Sequence, residues 1–264
     1  MRFLLTTLFA TALLASSCSM NTSPEILAMT SYADIVDRKT GAITPANTDT
    51  SLVSRLGNII LYRKTIRGTV YNEKAIKNGV MEAGDDPATI SSRSFEHRFF
   101  IHYMDQKTGM RYDSIAANGN RKRFNVDSLL MEDPILKGGT ADFDDKSILL
   151  SKTNTKEGYV KETYKYTANL GDNYPDSAYL IFDKSWKNKI NYTLSKNIDS
   201  VRKMKLVRIN LIFNPISKEK SGSGAAIPKK VIDVKIFEPN LNKHDLLEIK
   251  QAFEKFKQDE KEDQ

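Results

Sequence analysis

Cysteine is almost absent from this 264-residue chain, and Cys18 is the only one. Beyond it the folded part can hold no internal disulfide, no Fe–S cluster, no Cys-ligated zinc and no thiol nucleophile. Histidine and tryptophan are nearly as scarce, three and one. Long hydrophobic runs are lacking too. The longest, residues 3–14, is about a dozen residues, whereas a helix needs about 20 to cross the hydrocarbon of a bilayer. The chain also shows no G-x-S-x-G elbow, no H-E-x-x-H and no P-loop. A Ser-His-Asp triad assembled only by the fold stays open, so a hydrolase is kept as a lesser alternative.

Charge of one sign does not dominate. Lys and Arg total 40 against 33 acids, a net +7 that falls to +6 without Arg2, since residues 1–17 carry no acid. That mild excess suits attraction to anionic lipid or glycan. Basic residues are interleaved with acids and match no binding-motif spacing, so nucleic acid is not an expected partner. The densest basic cluster, Arg121-Lys122-Arg123, reads as a solvated turn.

What is present begins with the N-terminus. Arg2, the apolar run and then Ala15, Ser16 and Ser17 have the three-part layout of a secretory signal. Small residues followed by Cys18 resemble the lipobox of bacterial lipoproteins. Ala15 stands where leucine is usual, a relaxation similar to lipoproteins of the Bacteroidota. The resemblance implies cleavage after residue 17, acylation of Cys18, and a lipid-anchored protein of the outer membrane facing the periplasm or the cell surface. Two or three acyl chains hold a protein durably, as one does not. Four tripeptides, Asp113-Ser114-Ile115, Asp127-Ser128-Leu129, Asp176-Ser177-Ala178 and Asp199-Ser200-Val201, resemble the O-glycosylation acceptor of Bacteroidota envelope proteins. On that resemblance Ser114, Ser128, Ser177 and Ser200 are candidate acceptors. Asp-Ser pairs also serve as turn and cap residues.

Residues 18–50, rich in Ser, Thr, Asn, Pro and Ala, read as a flexible lipidated tether, with a short helix around 25–36 as an option. Residues 51–240 read as a β-rich domain and 241–264 as a C-terminal helix whose charged tail after Lys257 is expected to be solvated and frayed. A chain starting near Thr50 is therefore expected to fold alone. Period-2 patterns dominate the domain: Val160, Tyr164, Tyr166 and Leu170 alternate with Lys161, Thr163, Lys165 and Asn169. Val207, Ile209, Leu211 and Phe213 do the same and stop at Asn214-Pro215. Residues 95–104 and 110–115, separated by a loop ending in Gly109, read as a hairpin. Further strands are expected at 58–71, 147–152, 179–183, 190–194 and 231–237. The fold class is mainly β, an antiparallel β-sandwich or a curved sheet. The exception is 242–257, where Leu246, Ile249, Phe253 and Phe256 recur at helical spacing behind Asn242 as N-cap.

Candidate sites are few. His97 and His102, five apart in one strand, point to opposite faces, which disfavours a shared metal, and His244 opens the last helix with no second ligand in evidence. Asp142, Asp144 and Asp145 offer oxygens to a cation, but the segment departs from the EF-hand pattern, so it reads as an acidic surface loop and no metal is expected there. The loop 221–226 leads into a strand and not a helix N-terminus, so it reads as a connection and not a phosphate cradle. Trp186, with Tyr174 or Tyr179 as helpers, is a candidate for stacking on a sugar, against the commoner fate of a core tryptophan. No cofactor is expected. The resulting reading is a non-catalytic envelope lipoprotein that binds or assembles with an outer-membrane or secretion partner, with carbohydrate binding as the alternative.

Overall fold

In the computed structural model, residues 23–47, 50–71, 76–77, 80–81, 90–116, 119–139, 146–167, 175–222 and 224–263 are described. They form mainly strands: β1 (Glu25–Val36), β2 (Ile43–Asn47), β3 (Ser51–Leu56), β4 (Ile59–Tyr71), β5 (Ile76–Lys77), β6 (Val80–Met81), β7 (Ile90–Tyr103), β8 (Thr108–Tyr112) and β9 (Arg121–Asn125). Helices α1 (Val126–Glu132) and α2 (Pro134–Lys137) follow, then β10 (Ser147–Asn154), β11 (Val160–Tyr166) and β12 (Ser177–Asp183). The chain ends with α3 (Lys196–Arg202), β13 (Lys205–Phe213), α4 (Lys218–Ser221), β14 (Lys230–Phe237) and α5 (Lys243–Glu262).

Twelve strands make one open antiparallel sheet in the order β10-β11-β12-β13-β14-β1-β3-β4-β7-β8-β9, with β2 beside β1. Of the two arrangements expected from the sequence, the single sheet is the one formed. Its first and last strands pair at the centre, Ala28 against Phe237 and Ala33 against Ile232. The strands β9 and β10, consecutive in sequence, are its two opposite edges. The chain must travel from one edge to the other, and α1 and α2 are the first part of that crossing.

The sheet is buried on both faces, and the two cores share β1, β3 and β4. On one face Leu27, Met29, Val53, Tyr62, Phe182, Leu206, Ile209 and Ile236 pack under Leu129 of α1, Leu136 of α2 and the segment carrying Ile190, Tyr192 and Leu194. On the other, Ala28, Leu52, Leu61, Phe99, Ile101, Met110 and Tyr112 are closed by Ile249, Ala252, Phe253 and Phe256 of α5. Neighbours in sequence thus go to opposite cores, as the pleat requires. Helix α5 forms where the spacing predicts it, with Asn242 accepting from the Asp245 backbone N–H at 2.8 Å.

Four expectations need correction. Residues 25–36 are a central strand and not a tether or a short helix, and 43–47 form β2. Because Leu27, Ala28 and Met29 are all buried, the run has no polar side, which hides the period of two. Arg121-Lys122-Arg123 lies in β9, not a turn. Residues 190–194 alternate like a strand but belong to none: the Ile190 N–H donates to the Asn188 side chain and the Ser195 N–H to Thr193 Oγ1, local bonds that replace a ladder. The tail after Lys257 stays helical to Glu262. It is held by β8 and β9: Arg121 and Arg123 of β9 each lie 3.0 Å from Asp263, and buried Asp259 accepts from the hydroxyl of Tyr112 in β8 at 2.8 Å. Burial and that carboxylate push the Tyr112 phenol far up.

Candidate functional site

Strand β10 ends the sheet on one side. Its register with β11 runs Leu149 opposite Tyr164 and then Ser151 opposite Thr163, so Leu150 is an extra residue with no partner, a β-bulge. Ile148, Leu149 and Leu150 are 57 %, 44 % and 59 % exposed. Three consecutive exposed aliphatic side chains on an edge strand are unusual, because such an edge offers both apolar surface and unpaired backbone groups to another chain.

The edge is held firmly from inside. Glu162 of β11 is fully buried; it accepts from the Tyr164 hydroxyl at 2.6 Å and from Arg202 Nε of α3 at 3.1 Å. Lys152 of β10 brings its Nζ to 3.0 Å from the other carboxylate oxygen. Burial alone raises the Glu162 pKa, but Tyr164, Lys152 and Arg202 outweigh it and hold the group below its ordinary value. A fixed ionic centre therefore pins β10 to β11 and α3. Around it the chain from 146 to 165 carries Lys146, Lys152, Lys156, Lys161 and Lys165 against Glu157 and the buried Glu162. The surroundings of the apolar triple are basic.

The three histidines are placed apart. His97 faces α5, its Nδ1 3.0 Å from Glu248, while Arg63 reaches Asp245 at 2.8 Å and Glu248 at 3.2 Å. Ligand atoms of His97, Asp245 and Glu248 lie within 4.8 Å of one another. The Arg63 guanidinium already sits against both carboxylates, so the group works as the clasp that fixes the start of α5 to β4 and β7. His102 faces the opposite side, as the spacing predicts. Its Nδ1 lies 2.6 Å from the Tyr103 carbonyl and its Nε2 is buried without a protein partner. Burial lowers its pKa and favours the neutral ring. It borders a cavity of 230 Å³ shared with Tyr62, Leu136, Ile190 and Tyr192. His244 is exposed. Among the described residues, none of the three has both a serine hydroxyl and a carboxylate as hydrogen-bond partners.

Trp186 is half-buried against the first core and walls a separate cavity. Tyr179 is not beside it but lies in the sheet with Lys161 Nζ 4.4 Å over its ring. Ser114, Ser128 and Ser200 are exposed, whereas Ser177 is half-buried in β12 between two paired strands. Cys18, Tyr174, Asp142, Asp144 and Asp145 lie outside the described residues. Sequence reasoning missed the β10 edge as a site, although the run Ile148-Leu149-Leu150 was its signal. No protein-family model matches the chain, and no curated protein matches it.

Proposed function

We propose that this chain is a lipid-anchored protein of the bacterial outer membrane that acts by binding, not catalysis, and that it holds an envelope partner along β10. One observation carries the reading: Ile148, Leu149 and Leu150 are exposed together on an edge strand whose inner side is pinned by Glu162, Lys152 and Arg202. Strand addition to such an edge uses backbone hydrogen bonds for affinity and side-chain contacts for specificity. The occupant is an extended apolar segment of the partner flanked by carboxylates, which complements the lysines around the edge. Two copies of this chain paired edge to edge would bring those lysines together, which opposes self-association. The resemblance at Cys18 supplies the anchor. Seven Cα steps separate Cys18 from Glu25, so an acylated Cys18 keeps the start of β1 within about 25 Å of the membrane.

Two experiments test the reading. A photo-crosslinking side chain at position 149 in the native envelope should give one adduct, mapped to an extended segment of the partner. That adduct should vanish with Ile148→Lys. Adducts scattered over many proteins, or a homodimer in sedimentation, would refute it. For the anchor, Cys18→Ala should lose a metabolically incorporated fatty-acid label and move to the soluble periplasmic fraction while still folded; label kept on that variant excludes the anchor.

A further inference from the structure

We infer that the cavity beside Trp186 is a saccharide site, distinct from the β10 edge. The cavity has a volume of 440 Å³ and lies where the ends of β12, β13 and β14 meet. That is within the usual size of a small-ligand site and equals about fifteen waters at liquid density, on the order of one to two hexose rings. Its apolar walls are Trp186, Tyr159, Val207 and Ile236, and its polar groups are Asp183, Ser185, Lys187 and Glu238.

The turn that carries Trp186 is fixed at both ends. Asp183 Oδ1 accepts from the Ser185 backbone N–H at 2.7 Å and from its hydroxyl at 2.8 Å. Further along, the Asn188 amide donates to the Ile26 carbonyl at 3.2 Å and the Lys189 N–H to Glu25 at 3.1 Å. Trp186 packs against the first core and also lines the cavity, so the indole is seated before a ligand arrives. A preformed aromatic wall lowers the ordering cost of binding.

The mixed lining selects the ligand class. A hexose has a face of polarised C–H bonds that suits the negative face of an aromatic ring, and hydroxyls around its edge. Those hydroxyls donate to Asp183, Glu238 and the Ser185 Oγ, whose own proton is given to Asp183, and accept from Lys187. A purely apolar ligand would strip water from both carboxylates without replacing it. An anion would meet the same two carboxylates. A simple ammonium would suit the rings and the acids but would lie against Lys187. A neutral saccharide satisfies every group named.

Because Trp186 is the only tryptophan, its emission reports this cavity alone. Titrating the full folded chain with neutral gluco-, manno- and galacto-configured oligosaccharides should give a saturable change in tryptophan fluorescence with at least one of them. Glu238→Gln should weaken that binding roughly tenfold, the loss of one hydrogen bond to a charged acceptor. Tyr159→Ala should weaken it also, at an unchanged melting temperature, since Tyr159 is 37 % exposed. Ile148→Lys should leave it untouched, which separates this site from the partner edge. No response to any neutral saccharide overturns the inference. So does a response confined to ammonium ions, or equal affinity in Glu238→Gln and Tyr159→Ala.

Discussion

The two edges of the sheet are treated in opposite ways. At β9 the chain places Arg121, Lys122 and Arg123, and the end of α5 lies against them through Asp259, Glu260 and Asp263. At β10 it places Ile148, Leu149 and Leu150, each more than two-fifths exposed. The first is a protected edge: charge and a covering helix both oppose strand addition. The second has a bulge and the partly exposed Lys152 but, among the described residues, no covering helix. Both edges belong to one sheet, so its general construction does not explain the difference. The proposed strand addition assigns a role to the edge that is left apolar while the other is guarded.

The largest effects come from dismantling the guarded side. A chain starting at Thr50 lacks β1, which pairs with β14, β2 and β3 and supplies Leu27, Ala28 and Met29 to both cores. It should fail to fold, with circular dichroism of a disordered chain. Phe253→Ala, in the face of α5 that closes the second core, should cost about 3–5 kcal/mol in chemical denaturation. Removing residues 242–264 should do worse, exposing that core and the β9 edge together and giving aggregation.

Next come the groups that pin the bare edge. Glu162→Gln should lower stability by roughly 1–3 kcal/mol, because Lys152 and Arg202 lose their counter-charge but remain partly solvated. The pH dependence has a definite sign. The Glu162 pKa is depressed in the folded state, so its contribution is present above the unfolded value of about 4.5 and fades as pH falls through the lower folded value. His102 acts in a higher window. Its folded pKa is lowered, so below about 6.5 the unfolded chain takes up a proton that the folded chain refuses. Melting temperature should therefore drop between pH 7 and pH 5 in the native protein and drop less in His102→Phe. An equal drop in both removes His102 from the account of acid sensitivity.

The smallest stability effects fall at the exposed positions, and they sharpen the comparison most. Arg123→Ala, at a partly exposed ion pair, should cost no more than about 1 kcal/mol. Ile148→Lys should stay within about 0.5 kcal/mol of the native protein while abolishing partner capture. A substitution that leaves the fold intact and removes binding separates a functional surface from a structural one.

How much of this was legible in the sequence follows from burial. Strands β11 and β13 and the β7–β8 hairpin alternate polar with apolar residues because one side is less buried than the other, and they are found where that pattern puts them. The run from Ile26 to Met29 is apolar throughout because the sheet buries both its faces there, and the alternation disappears. The segment 190–194 fails in the other direction. Its side chains alternate because Ile190, Tyr192 and Leu194 plug a core, while its backbone bonds are local. The strand at 147–152 was readable, but that it is an edge depends on β1 and β14 meeting at the centre of the sheet, a long-range fact with no local signal. Likewise, Trp186 was readable as a stacking candidate, but Tyr159 shares its cavity only because the start of β11 pairs with the end of β12.

Amide hydrogen exchange across the two edges, compared between the purified protein and the complex isolated from the envelope, tests the central claim most directly. Strand addition predicts that the amides of residues 148–151 exchange markedly more slowly in the complex, while those of 121–125 do not change. Unchanged exchange in β10, or new protection at β9 instead, would contradict it.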